Sequence, residues 1–88
     1  MRYKIIIEYD GTPFVGWQKQ DNGLSIQECI ETAIESMFQE KPVLFGAGRT
    51  DAGVHATGQV AHFDIEHKEL DTYSIKTGLN HHLKIYPI

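Results

Sequence analysis

The first rhythm in this chain is alternation. In RYKIIIEYD, Tyr3, Ile5, Ile7 and Tyr9 fall on one side of an extended backbone, in a run rich in β-branched and aromatic residues. The pattern predicts a strand from Tyr3 to Tyr9. Ile6 on the opposite side implies that the second face is partly covered too. DGTP then ends the strand with turn chemistry. From Asp10 to Leu24 no period holds for fifteen residues. Connections of that length are uncommon and are often functional. This one carries Phe14, Trp17 and three glycines.

The rhythm then becomes helical. In SIQECIETAIESMFQ, Ile26, Ile30, Ala33, Ile34, Met37 and Phe38 recur on one face, and Glu31 and Glu35 fall on the polar side. Ser25 and Glu28 fit a capping box, each side chain reaching an unpaired backbone N–H. Pro42 blocks continuation. Val43 to Phe45 reads as a short buried strand. GQVAHFDI, Gly58 to Ile65, reads as another, with Ala61, Phe63 and Ile65 on one face and Val60, His62 and Asp64 on the other. EHKELD is a polar connection. After Asp71, a candidate N-cap, Ile75, Leu79 and Leu83 stand four apart and predict a second helix. Gly78 weakens that helix by about 1 kcal/mol. KIYPI looks like the start of a further strand. The order β-α-β-β-α, with a beginning β, predicts an α+β sandwich of ferredoxin-like or split βαβ type, its helices on one face of an antiparallel sheet.

Composition narrows the class. Eighty-eight residues, 41% apolar and 23% charged, suit one ordinary globular domain. A chain this short buries only about 60% of its unfolded surface, so a lone core is marginal. Cys29 is the only cysteine, which excludes an internal disulfide and suits a reducing cytoplasm. No apolar run approaches the length of a membrane span, and MRYKIIIEYD lacks the features of a secretory signal. The net charge of −4 speaks against nucleic-acid binding, which usually shows a basic footprint.

The segment GAGRTDAGVHATG, Gly46 to Gly58, changes the picture. Four glycines surround Arg49, Thr50, Asp51 and His55. A dinucleotide fingerprint starting at Gly46 would need glycine where Asp51 stands. A Walker A loop through Gly48 and Gly53 would need lysine where Val54 stands. The five histidines, at 55, 62, 67, 81 and 82, have no metal-ligand spacing, so no metal is expected. A carboxylate role remains. Arg49 near Asp51 would keep it ionised in a partly buried cleft, ready to attack an electrophilic carbon or remove a proton. The same residues could form a pair that only pins a turn, and residue chemistry alone favours that alternative.

GAGRTDAGVHATGQVAHF resembles the signature of the TruA family of tRNA pseudouridine synthases, matched without a gap from Gly48 to Ala56. YDGTPFVGWQKQ, Tyr9 to Gln20, is similar to that family's first loop, and SIQECIETAI to the helix after it. The resemblance spans nearly the whole chain. It implies half of a pseudouridine synthase catalytic fold and an isomerase that converts uridine to pseudouridine at positions 38–40 of the tRNA anticodon stem-loop. It makes Asp51 the essential aspartate and Arg49 its basic partner. Thr50 joins the substrate-binding residues, and His55, Phe14 and Trp17 are candidates to line the route of a flipped-out base. For Phe14 and Trp17, packing on the domain is as good a reading. For His55, anchoring the turn is the better one.

The isomerisation adds and removes no atoms, so no cofactor is expected. The expected partners are the tRNA anticodon arm and a second subunit in a homodimer, in the cytoplasm, with no DNA and no membrane. Family members are longer, and their catalytic tyrosine and second arginine lie beyond YPI. Residues 1–88 are therefore expected to be an N-terminal subdomain that folds but does not modify tRNA alone. A basic RNA-tracking surface elsewhere would answer the charge objection. Two rivals stand beside this reading. One is a non-enzymatic α+β module that self-associates through its sheet edge. The other is a glycosidase-like hydrolase that pairs Asp51 with Asp64 or Glu66.

Overall fold

The alternating run folds as β1, Arg2–Tyr9, in a computed structural model that describes residues 1–18, 20, 23–48 and 52–88. The remaining elements are α1, Ile26–Phe38; β2, Phe45–Gly46; β3, Ala56–Asp64; and α2, Thr72–Leu83. The sheet order is β1-β3-β2, and both neighbours run antiparallel to β3. β1 and β2 are therefore parallel, joined through α1 and split by β3, as the split βαβ pattern requires. The expected α+β architecture is the one observed.

Register explains the core. Tyr3 faces Phe63 and Ile5 faces Ala61 on the helix-covered side, while Lys4 faces His62 and Ile6 faces Val60 on the other. Phe63, Ile26, Ile30, Ile34, Leu44 and Ile65 are fully buried. Tyr3, Phe38 and Phe63 form a ring cluster with centroids 5.5–6.1 Å apart. The Tyr3 hydroxyl donates to the Leu70 carbonyl at 3.1 Å and accepts from the Leu70 N–H at 3.2 Å, which ties the polar connection to β1.

The start of α1 shows how the long first connection is held without a period. The Ile26 and Gln27 N–H groups donate to the Gly16 and Trp17 carbonyls, and the Glu28 N–H donates to Ser25 Oγ. The orphan donors of a helix start are thus met by one cap and by the loop itself. The helix ends on Gln39, in left-handed backbone at φ 56°, with its N–H on the Glu35 carbonyl.

Four expectations are corrected. Glu31 is not on a polar face: it is 7% exposed. Its Oε2 accepts from the Leu44 N–H at 2.9 Å and from Gln27 Nε2, which also donates to the Leu44 carbonyl at 3.2 Å. Leu44 precedes the two-residue β2 and lies outside the ladder, so side chains of α1 serve its peptide groups in place of a strand. The short strand accordingly starts at Phe45 rather than Val43. Ile6 is 69% exposed, so no described residue covers the outer face there. KIYPI forms turns, not a strand, with Tyr86 N–H on the Leu83 carbonyl and the Pro87 carbonyl accepting from Asp10 N–H.

Glu31→Leu keeps the bulk but leaves the Leu44 N–H buried without an acceptor. It is expected to cost about 2–3 kcal/mol in urea unfolding. An unchanged midpoint would show that the contact is dispensable.

Acid should weaken the fold through three aspartates. The Asp71 carboxylate caps α2 on the Ser74 N–H at 2.7 Å. Asp64 takes the Arg2 guanidinium at 2.8 and 3.1 Å. Asp10 accepts from the Thr12 hydroxyl and N–H at 2.6 and 3.0 Å. These hydrogen bonds hold all three below the ordinary value of 3.8. Because the folded values are the lower ones, the stabilisation is complete above the unfolded value and is lost as pH falls through the folded ones. The urea midpoint should hold above about pH 5 and drop below about pH 4.

Candidate active site

Two motifs far apart in sequence meet in space. The first connection leaves β1 at Asp10, and the glycine-rich connection joins β2 to β3. Gly11 N–H lies 2.9 Å from His55 Nδ1, and Gly53 N–H donates to the Phe14 carbonyl at 3.3 Å. A Cβ on Gly11 would stand 1.9 Å from the Val54 carbonyl oxygen, so only glycine permits this backbone approach. Gly53 itself has φ +78°, a left-handed conformation that glycine adopts freely.

His55 carries the polar link. Its Nδ1 also lies 3.0 Å from Asp10 Oδ1. With the proton on Nε2, Nδ1 accepts from Gly11; with a proton on Nδ1, the ring donates to Asp10. Either form ties the two loops. The ring's exposed position leaves its other edge open to solvent. The base of the β2–β3 connection is closed by Ala47 N–H on the Val60 carbonyl at 2.8 Å, and Gln59 Nε2 donates to the Gly48 carbonyl.

Phe14 and Trp17 are each 3% exposed. Phe14 packs on Tyr86, and Trp17 lies between Tyr9 and the backbone of Gly46, where a Cβ would come within 2.7–2.8 Å of the indole. They form the floor beneath the loop junction rather than an open wall. Arg49, Thr50 and Asp51 lie outside the described residues.

Asp64 and Glu66 lie at or beyond the far end of β3 from Ala56. Asp64 is also engaged by Arg2. Among the described residues, no hydrogen bond or ion pair joins either acid to the glycine-rich loop. Among the described residues, no three His, Cys, Asp or Glu side chains gather to hold a metal ion. Cys29 is buried under α1, and loss of hydration pushes its thiol up to about 11, far from a reactive thiolate.

Sequence reasoning named His55 and the two aromatics but missed Gly11 and Asp10. Their signal was present as the DG pair closing β1. It reads as an ordinary turn until the second loop is known to press on it.

The sequence profile of the tRNA pseudouridine synthase family matches residues 5–87. The chain belongs to this family. It is 58% identical to tRNA pseudouridine synthase A of Wolbachia pipientis wMel, over all of this chain and 36% of that protein. It is 56% identical to the enzyme of the same name from Ehrlichia ruminantium strain Welgevonden, over 94% of this chain and 34% of the relative. The tRNA pseudouridine synthase A of Afipia carboxidovorans is 55% identical, over 99% of this chain and 35% of the relative. The chain thus spans about a third of the length of the curated relatives it matches. As a tRNA pseudouridine synthase sequence, it carries both loop motifs, and the structure packs the described parts of those loops backbone to backbone. No helix among the described residues is long and apolar enough to cross a membrane.

Proposed function

We propose that residues 1–88 supply the aspartate-bearing part of a tRNA pseudouridine synthase that isomerises uridine in the anticodon stem-loop. The observation that carries this reading is the contact between the two loops, Gly11 to His55 and Phe14 to Gly53. A rigid, glycine-permitted junction beside the loop that bears Asp51 is what a substrate-facing carboxylate needs.

In this reading Asp51 acts on the extruded nucleotide, as nucleophile or as base, and no atom enters or leaves overall. Arg49 keeps it ionised and Thr50 contacts the substrate. His55 holds the junction and presents its free ring edge toward RNA. Phe14 and Trp17 act from below, by fixing the loop floor on which the target base is received. Extrusion costs a few kcal/mol, and a preformed pocket offsets it. The whole enzyme works in the cytoplasm as a homodimer whose basic surface lies outside these residues.

The test uses a chimera in which residues 1–88 replace the matching segment of the Wolbachia pipientis wMel relative. A transcript of a tRNA anticodon arm is incubated with the chimera or with the 88-residue chain, then digested for nucleoside mass spectrometry. Pseudouridine is expected with the chimera and not with the chain alone. An inactive but folded chimera would overturn the assignment. Free uracil in place of pseudouridine would move it to hydrolysis.

A further inference from the structure

We propose that Gln59 is a positioning residue for the isomerisation, its side-chain amide holding the Gly48 carbonyl where the glycine-rich connection leaves the sheet. The inference rests on the reading of Asp51 given above and adds to it a residue that touches no substrate.

The place of Gln59 in the sheet is unexpected for its chemistry. Directly opposed residues of an antiparallel pair share a face. Gln59 stands opposite Ile7, so it lies on the helix-covered side with Ala61 and Phe63. Ile7, Ala61 and Phe63 are buried, and Gln59 is half-buried. A polar residue thus interrupts the apolar stripe of β3 at the end nearest the loop. An amide placed there needs a hydrogen-bond partner, and the Gly48 carbonyl is that partner.

Register shows what the bond replaces. Phe45 pairs with His62 and Gly46 with Ala61. The Ala47 N–H on the Val60 carbonyl adds one more rung at 2.8 Å. By the same count Gly48 comes level with Gln59, and there a side chain takes the carbonyl. Arg49, Thr50 and Asp51 follow directly in the sequence. Beyond them the Gly53 N–H donates to the Phe14 carbonyl at 3.3 Å. Two hydrogen bonds therefore bracket Asp51 along the chain, one reaching from β3 and one from the first connection. A reactive group on a loop keeps its place only if the residues supporting that loop are themselves fixed.

Only a donor serves at position 59. The glutamine amide carries two N–H groups, leucine keeps most of the bulk and offers none, and an ionised glutamate presents an acceptor to an acceptor. The bond lies at the partly solvated end of the sheet, where water can take over the carbonyl. Its loss should therefore relax the loop far more than it weakens the fold.

The test uses the chimera described above, with kcat, KM and the urea midpoint measured for each variant. Gln59→Leu is expected to lower kcat by about tenfold or more, with KM within about twofold and the midpoint nearly unchanged. Gln59→Glu should lose at least as much at about pH 8. Its protonated carboxyl regains a donor, and a facing carbonyl favours that form. Its kcat relative to the unsubstituted chimera should then rise several-fold between about pH 8 and about pH 5.5, while the same ratio for Gln59→Leu stays flat. Full kcat in Gln59→Leu would overturn the inference. So would a loss confined to KM, a loss matched by the fall in urea midpoint, or a Gln59→Glu ratio that ignores pH. An inactive unsubstituted chimera would overturn the inference together with the reading it rests on.

Discussion

Asp51→Asn in the chimera is expected to lower pseudouridine formation by at least about 10³-fold, near the top of what one acid–base or nucleophilic group contributes. The substitution keeps shape and removes charge. An amide neither attacks a sugar carbon nor takes a proton, so every version of the carboxylate mechanism fails together. Affinity for tRNA should barely change, because phosphate contacts dominate it. The expected signature is therefore a collapse of kcat with KM nearly constant. Retention of a tenth of the activity would end the catalytic assignment. A loss confined to KM would reduce Asp51 to a binding residue.

Gly11→Ala should have the largest effect of any substitution that leaves the site chemistry untouched. The added methyl meets the Val54 carbonyl oxygen at 1.9 Å, and the clash is with backbone that has no rotamer to escape into. The two loops must separate by more than 1 Å to reach ordinary contact. That breaks the Gly11–His55 bond and strains the Gly53–Phe14 bond. Overpacking costs about 1–3 kcal/mol, with roughly 1 kcal/mol more for the lost hydrogen bond. A displacement of that size beside a reacting centre can cost about a hundredfold in rate. The chimera bearing Gly11→Ala should thus fold with a lowered urea midpoint and lose activity out of proportion to the unfolded fraction. Wild-type activity in that variant would show that the junction does not position the site.

The two strongest periodic segments were legible as helices. The 3.6-residue recurrence from Ile26 to Phe38 and the four-residue spacing of Ile75, Leu79 and Leu83 became α1 and α2, with Ser25 and Asp71 capping as expected. Capping and amphipathic burial are local or one-faced rules, so a linear pattern states them directly. Glu31 was misread because a carboxylate flanked by polar neighbours looks solvated. Only the arrival of Leu44, thirteen residues later, supplies its buried donor. KIYPI was misread for a related reason: its residues suit a strand, but here the segment turns back so that Pro87 can receive Asp10.

What the sequence by itself determined about this protein is its family, its helices and the alternation of its two long strands, because motif identity and periodicity are properties of neighbours along the chain. Tertiary structure alone decided that Asp10 and Gly11 press on Val54 and His55, and that α1 serves the peptide of Leu44. Each of these depends on which segments are brought side by side. A hydrogen bond or a steric contact acts over a few ångströms of space, whatever the number of residues between its partners.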